Sequence, residues 1–228
     1  MSGYKQQPGM VPALADKMAI CFAEDKRNFP VLGVAYDELI NRMRDAGAGQ
    51  SAPKAGHEMP KFALPNSEGR ILFLADLLEH GPLVISLNRG HWCPFCKAEL
   101  GVLQEIYPAI QAQGAELVSI IPEIALVTAK IREDYGLDFP VLTDLDNGYA
   151  MQLNLMMTLG SLINQTYLDI GIDLSKSQGN DSWLLPLPAT FVVDRTGRIE
   201  EAHTSPDFSN RMEPADILAA LGRISQPD

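Results

Sequence analysis

The 228-residue chain has only three cysteines, few aromatic residues and no long hydrophobic run. Three cysteines are too few for the disulfide framework of a small secreted protein. No stretch approaches the roughly 18 consecutive apolar residues of a membrane-spanning helix, so we expect no membrane span. The N-terminus lacks the cationic segment, apolar core and cleavage site of a secretory signal, and we therefore expect a cytoplasmic protein.

Positive charge is also scarce, because 18 lysines and arginines face 29 acidic residues and leave a net charge of −11. Such a chain repels a phosphate backbone, so nucleic acid is not expected as a partner. The 46% hydrophobic content is that of an ordinary globular protein. A chain of this length can form one substantial core and still carry an extension or an insertion.

Apolar spacing predicts two helices over residues 11–45, with a break near Asn28–Pro30. We expect these helices to pack on the main body or on a second subunit. Cys21 falls on the apolar face of the first helix, where a small buried hydrophobic role is favoured over that of a resolving cysteine. The first apolar face comprises Val11, Leu14, Met18, Cys21 and Phe22.

The small, Gly-rich segment at 46–53 ends in proline and is predicted to be a linker. It divides the chain into an N-terminal helical extension with its linker, residues 1–52, and a main domain, residues 53–228. Within the main domain, residues 154–187 have a less regular pattern and are interpreted as an insertion.

After the linker, strands alternate with helices, and hairpins are predicted near both ends of the domain. Residues 83–87 form a short apolar run typical of a buried central strand. Pro108 should kink or shorten the helix that contains it. The alternation predicts a three-layer α/β fold with a mixed central sheet.

The stretch RGHWCPFCK, residues 89–97, follows the predicted central strand and begins a helix. Pro94 suits the first helical position, which places Cys93 at the N-cap and Cys96 in the first turn. Both thiols then lie near the positive end of the helix dipole, and Arg89 adds a cation. These influences lower a thiol pKa and favour the reactive thiolate. Trp92 can shield the pair as an apolar wall.

Other roles for the two cysteines are weaker. Zinc could take His91, Cys93 and Cys96, but no fourth ligand is fixed and no second Cys pair exists. Haem attachment requires a histidine where Lys97 stands. Two unrelated buried thiols are a further alternative. A redox centre without a metal or bound organic cofactor is therefore the favoured interpretation.

These motifs resemble the thioredoxin-fold superfamily and, more closely, the peroxiredoxin-like branch of the alkyl hydroperoxide reductase/thiol-specific antioxidant family. The resemblance covers roughly residues 53–222 and implies a thioredoxin-like three-layer fold. It rests on four segments: PKFAL at 60–64 followed by Gly69; GPLV at 81–84 leading into the Cys motif; FPVLTD at 139–144; and LPATFVVD at 187–194.

Ordinary peroxiredoxins carry P-x-x-x-T-x-x-C, and the resemblance implies that the peroxide-attacking position is Cys96. The threonine position is then Cys93, and the proline position is Arg89. Where the family keeps a distant arginine, this chain has Pro188. In thioredoxins that position is a cis-proline beside the two thiols, so Pro188 is expected to be cis, with Thr190 nearby.

The resemblance leaves the order of attack open, because thioredoxin logic makes Cys93 the nucleophile and peroxiredoxin logic makes it Cys96. Either order gives a Cys93–Cys96 disulfide that an external reductant must open. Arg89 could replace the missing arginine if its side chain turns to the thiols, or it could simply secure the loop. His91 is interpreted as a polar loop residue and Arg211 as the partner of an acidic neighbour.

The first functional hypothesis is a thiol-dependent peroxidase that reduces hydrogen peroxide or organic hydroperoxides, with thioredoxin or a similar dithiol as electron donor. The second is a thiol–disulfide oxidoreductase, and the third is a redox-sensing interaction protein. A homodimer is one assembly that the resemblance and the apolar faces of the extra helices suggest.

Overall fold

The computed structural model describes residues 13–225, so Val11 of the predicted first helix lies outside the described part. In chain order the elements are α1 Leu14–Asn28, α2 Pro30–Asp45, β1 Ala63–Pro65, β2 Ile71–Phe73, α3 Leu74–His80, β3 Leu83–Leu87, α4 Pro94–Ala112, β4 Glu116–Ile121, α5 Ala125–Asp134, β5 Val141–Thr143, a 3₁₀ turn Leu145–Asn147, α6 Gly148–Gln152, β6 Met156–Thr158, α7 Ser161–Asp169, α8 Leu174–Gln178, β7 Leu184–Pro186, β8 Ala189–Val193, β9 Ile199–Thr204 and α9 Pro214–Ile224.

The central sheet has five strands in the order β5-β4-β3-β8-β9. Strand β3 pairs in parallel with β4 and antiparallel with β8, so the sheet is mixed, as predicted. The two predicted hairpins are β1–β2 and β8–β9. Because β3 is buried at every residue, its side chains alternate between two apolar layers.

One layer joins the sheet to α4 and α9 and includes Val84, Leu103 and Leu221. The other layer contains Ile85 and Phe191 together with residues of α3, the extension and the insertion. Helices thus cover both faces of the sheet, which confirms the three-layer α/β prediction. Both cysteines belong to the second layer, just beyond the end of β3.

The insertion at 154–187 is more regular than the sequence indicated. It contains the antiparallel pair β6–β7 and the helices α7 and α8. The expectation of an irregular segment was wrong because these elements are short, and three-residue strands leave too few residues for a period to be recognised.

The expectation that Pro108 shortens its helix and the expectation of a cis Pro188 were wrong. Helix α4 continues through Pro108 to Ala112, since its apolar face is buried on both sides of the proline. The Leu187–Pro188 peptide bond is trans, like every other peptide bond in residues 13–225. Here the backbone stays extended: Leu187 N donates to Leu155 O at 2.6 Å, next to the β6–β7 pair, and β8 begins at Ala189.

The N-terminal helices pack on the main body of the same chain. Helix α1 lies against α4, and α2 lies against α7. The predicted linker at 46–53 is a series of turns in which Ala52 is buried. No helix within the described range is long and apolar enough to cross a bilayer.

Glu213 ties the start of α1 to the start of α9. Its carboxylate accepts hydrogen bonds from Leu14 N at 2.9 Å and Ala15 N at 2.7 Å. These amides belong to the first turn of α1, where no intrahelical partner exists, and a carboxylate there also meets the positive end of the dipole. One side chain from the far end of the sequence therefore docks the extension.

We predict that Glu213→Ala lowers the free energy of unfolding by about 1 kcal/mol, as for the loss of a helix cap. Urea unfolding measures the change, and hydrogen exchange should show it concentrated in α1. The matched control is Glu38→Ala on the exposed face of α2, which should change stability little. Equal effects of the two substitutions would contradict the docking role.

Candidate active site

The two cysteines lie where β3 ends and α4 begins. Cys93 is the N-cap of α4, and its sulfur accepts a hydrogen bond from Cys96 N at 3.4 Å. Pro94 occupies the first helical position, which needs no backbone N–H. The predicted placement of both residues is thus confirmed. Both thiols are free, and both side chains are 0% exposed.

Two guanidinium groups reach the sulfurs. Arg89 Nη2 donates to Cys93 Sγ at 3.0 Å, and Arg211 Nη2 lies 3.6 Å from Cys96 Sγ. The Arg89 backbone N–H also donates to Cys96 Sγ at 3.3 Å. The Arg89 side chain therefore turns toward the thiols, an orientation that the sequence alone left open. Arg211 supplies a second cation from a segment 115 residues beyond Cys96.

A buried carboxyl group completes the polar cluster. Glu99 lies one helical turn after Cys96, forms a short ion pair with Arg211 and accepts a hydrogen bond from Thr190 Oγ1 at 3.4 Å. Burial raises the pKa of Glu99 to about 7, although the Arg211 guanidinium acts in the opposite direction. Glu99 can therefore hold or release a proton near neutral pH.

The two thiols share one negative charge unequally. Burial raises the pKa of Cys93, and its hydrogen bond to the Cys96 sulfur raises it further, despite the contact with Arg89. Burial also opposes ionisation of Cys96, but the Cys93 thiol, Arg211 and Arg89 together hold the pKa of Cys96 well below its ordinary value. Each sulfur accepts from two N–H groups. Because Cys96 also accepts from the Cys93 thiol and contacts Arg211, we assign the thiolate to Cys96.

Arg89 lies in an aromatic box formed by Trp92, Phe95 and Phe208. Its Cζ atom lies 4.1 Å from the centroid of the Phe208 ring, 5.1 Å from that of Trp92 and 5.8 Å from that of Phe95. The side chain is 0% exposed. Aromatic faces attract a cation but do not neutralise it. The positive charge of the Arg89 guanidinium must therefore be balanced by the sulfurs beside it.

Helices α1, α2 and α7, which we call the cover, close the site from outside. Phe22 of α1 packs on Phe95 with ring centroids 5.9 Å apart. The Tyr36 hydroxyl of α2 and the Tyr167 hydroxyl of α7 form a buried hydrogen bond of 2.7 Å, and Trp92 packs on Tyr167 at 5.1 Å. The extension and the insertion thus meet above the cysteines and exclude water from them.

The loop before the cysteines is fastened by Glu123. Its buried carboxylate accepts from His91 N at 2.8 Å and contacts His91 Nδ1 at 2.8 Å. The hydrogen bond to Glu123 raises the pKa of His91. A Cβ atom at Gly90 would lie 2.7 Å from both Glu123 Oε1 and Trp92 Nε1, so only glycine fits there. His91 is thus a loop residue whose ring is engaged by a carboxylate.

The remaining candidates lie at different distances from the thiols. Thr190 is buried on β8 and contacts Glu99. Pro188 lies one residue beyond the Leu87–Ala189 pair of β3 and β8, at the edge of the site, and its carbonyl accepts from Thr204. Cys21 is half-buried, and its sulfur lies 3.9 Å from Pro94 O. Burial raises its pKa, which makes Cys21 a poor nucleophile.

Sequence analysis missed the roles of Glu99 and Arg211. The signal for Glu99 was available, because a residue three positions after Cys96 lies on the same helix face. Arg211 was expected to pair with an acidic neighbour before the last helix, but its partner is Glu99, 112 positions away, and the pair adjoins a thiol. Among residues 13–225, no group of three His, Cys, Asp or Glu side chains is arranged to hold a metal ion.

We predict that the reduced protein with Cys21→Ser ionises one thiol well below pH 8.5, the approximate value for a free cysteine, and the other well above it. Arg211 and Arg89 lower the pKa of Cys96 while burial raises that of Cys93, so Cys96 should ionise first. Ultraviolet absorbance of the thiolate against pH counts the groups. NMR of protein labelled at cysteine Cβ assigns them. Ionisation of Cys93 first, or of both thiols only above that value, would contradict the assignment.

The chain is similar in sequence to known thiol-disulfide oxidoreductases. The chain is 28% identical over 157 residues to the thiol-disulfide oxidoreductase ResA of Geobacillus thermodenitrificans, covering 68% of this chain and 72% of the relative. It is 26% identical over 178 residues to ResA of Bacillus subtilis, covering 74% and 82%.

Solved structures with a similar fold include peroxidoxin BcpB of Mycobacterium tuberculosis, with a TM-score of 0.58, 24% identity and coverage of 75% of this chain and 97% of that one. Peroxiredoxin Q of Xanthomonas campestris has a TM-score of 0.54, 17% identity and coverage of 72% and 92%. The AhpC/TSA family model matches residues 55–202. With a thioredoxin-like fold, a helix-start Cys pair and this match over most of its length, the chain belongs to the AhpC/TSA family.

Proposed function

We propose that the protein is an oxidoreductase that acts as a thiol peroxidase on hydrogen peroxide or small organic hydroperoxides. The observation that carries the proposal is the buried Cys96 sulfur, which accepts from the Arg89 backbone N–H and from Arg211 and is closed from water by the cover. Donors that are fixed before reaction stabilise the charge that develops as an O–O bond breaks. The same donors in water would be much less effective.

In the first step, the Cys96 thiolate attacks the terminal oxygen of the hydroperoxide, and the O–O bond breaks. Cys96 becomes a sulfenic acid, and the departing alkoxide or hydroxide takes a proton. Glu99, with its pKa of about 7, can supply that proton through the polar cluster. Arg211 stabilises the negative charge as it passes from sulfur to oxygen.

In the second step, the Cys93 sulfur attacks the Cys96 sulfenic acid, forms the disulfide and releases water. The peroxide has then gained the two electrons that the dithiol has lost. A dithiol donor such as thioredoxin returns those electrons by thiol–disulfide exchange. Cys93 lies one turn from Cys96, so this step needs only a local change at the start of α4.

Burial favours a small oxidant over a protein disulfide. Thiol–disulfide exchange requires the thiolate to approach a sulfur of the substrate directly. With both sulfurs at 0% exposure, no folded partner can reach them in the closed form. A hydroperoxide is small enough to enter during brief opening of the cover.

Thiol–disulfide oxidoreduction is the second candidate. It is favoured by the Cys-x-x-Cys spacing and by the name of the ResA relatives, thiol-disulfide oxidoreductase. For this activity the cover would have to open far enough to expose Cys93. A redox-sensing role would use the same disulfide without rapid turnover of either substrate.

We predict that Cys96→Ser abolishes rapid oxidation by hydrogen peroxide, whereas Cys93→Ser retains it and accumulates a sulfenic acid that dimedone traps. Arg211→Met should slow the first step about a hundredfold, the effect of removing one fixed donor to a developing oxyanion. Stopped-flow fluorescence and mass spectrometry of the reduced proteins measure both effects.

The matched control is Arg223→Met, because Arg223 pairs with Glu200 and Glu201 on the surface and lies outside the cover and the site. It should leave the rate unchanged. Oxidation no faster than that of free cysteine would overturn the peroxidase proposal. Rapid insulin reduction by the same preparation would then support the second candidate, and slow turnover in both assays with ready disulfide formation would support the sensor.

A second prediction concerns the cover. Tyr167→Ala should increase the alkylation rate of the reduced dithiol about tenfold, since it removes a hydrogen bond and the ring that packs on Trp92. Tyr167→Phe removes only the hydroxyl and should give a smaller increase. Mass spectrometry of protein treated with iodoacetamide measures the rates, and alkylation of the wild-type dithiol as fast as in unfolded protein would contradict closure.

A further inference from the structure

We propose that Arg89 sets the reduction potential of the Cys93–Cys96 pair, because the disulfide form buries the Arg89 guanidinium without a counter-ion. The disulfide is then readily reduced, and the reduced dithiol is the stable resting form. This inference rests on the dithiol–disulfide cycle of the proposed function, but not on peroxide being the oxidant.

The surroundings of Arg89 contain few groups that can balance its charge. Its Nη2 donates to Cys93 Sγ, whereas Nε and Nη1 have no hydrogen-bond partner among residues 13–225. No carboxylate in that range forms an ion pair with it. Asp25 interacts with Arg89 only at longer range, and the other neighbours are the phenols Tyr36 and Tyr167.

The charges of the reduced site cancel. Above pH 7, where the Glu99 carboxyl is mostly ionised, it balances Arg211 and leaves Arg89 to be balanced by the thiolate that Cys93 and Cys96 share. Although burial opposes its charge, the neighbouring cysteine sulfurs and phenols raise the pKa of Arg89, so the guanidinium stays protonated. Both members of this pair are enclosed, and neither can be solvated if the other is removed.

Oxidation removes one member of the pair. In exchange with glutathione disulfide, the thiolate and the remaining thiol form one S–S bond, and two molecules of glutathione are released. The protein loses two electrons and one proton. The two released glutathione thiols need two protons, and the second one comes from solvent. After this step the two sulfurs carry no charge, while Arg89 still carries +1 inside the aromatic box.

An interaction that stabilises only the reduced protein shifts the dithiol–disulfide equilibrium away from the disulfide by the same free energy, because the interaction and the oxidation form one thermodynamic cycle. In the thioredoxin superfamily, the most oxidising disulfides are those whose reduced form is stabilised. Arg89 is built to have this effect, since a salt bridge to a carboxylate would have neutralised it in both states.

The test is the equilibrium constant for oxidation by glutathione disulfide, measured by acid quenching and mass spectrometry in a Cys21→Ser background. We predict that Arg89→Met shifts this constant at least tenfold toward the disulfide, which corresponds to about 30 mV for a two-electron couple. Arg89→Lys keeps the charge and should shift it less. Arg223→Met is the matched control and should leave it unchanged.

An unchanged constant in Arg89→Met would overturn the inference while leaving the dithiol cycle intact. Failure of the wild type to form a Cys93–Cys96 disulfide would instead overturn the proposed function. If Arg89→Met does not fold, urea unfolding of the wild type decides the matter. The inference requires the oxidised protein to be less stable than the reduced protein, and greater stability of the oxidised form would overturn it.

Discussion

Enclosure of a charged guanidinium beside two sulfurs is the constraint on which the rest of this structure depends. A cation at 0% exposure is tolerated only if an anion accompanies it. Arg89 has aromatic rings on its faces and Cys93 at its end, so its anion is the thiolate of the cysteine pair. The cation makes the thiol reactive, and the thiolate makes the buried cation stable. Each feature is less stable without the other.

The N-terminal extension and the insertion strengthen this interaction by keeping water from it. Without α1, α2 and α7, Arg89 would be solvated, and its contact with Cys93 would be weakened by water. The hydrogen bond between Tyr36 and Tyr167 closes the two additions over the site, and Glu213 docks α1 two residues after Arg211. The cover therefore raises the strength of each electrostatic contact, at the cost of slower entry for large substrates.

Much of this arrangement follows from local sequence, and the rest from contacts that no local pattern records. The strand–turn–helix with Cys93 at the N-cap could be predicted, because an apolar run, a proline and a cysteine spacing each act over a few residues. The direction of the Arg89 side chain could not, since it depends on Phe208 and Tyr167, more than 70 positions away. Arg211 had no signal of its own for the same reason. The expectation of a cis bond before Pro188 was wrong because it rested on the likeness to thioredoxins, whereas here β7 continues almost directly into β8.

The position of the second cysteine explains how a closed site can complete its chemistry. Because Cys93 and Cys96 are separated by less than one helical turn, a sulfenic acid on Cys96 has its partner thiol at hand, and no segment must unfold to deliver it. The oxidative half of the cycle can thus run beneath the cover. Apart from the small peroxide, only the reductant must reach a sulfur, and it meets a site in which the thiolate has gone and Arg89 is unbalanced. An unbalanced buried cation favours admission of water or of an anionic thiolate. The charge that makes the reduced site reactive therefore also favours opening of the oxidised site to its electron donor.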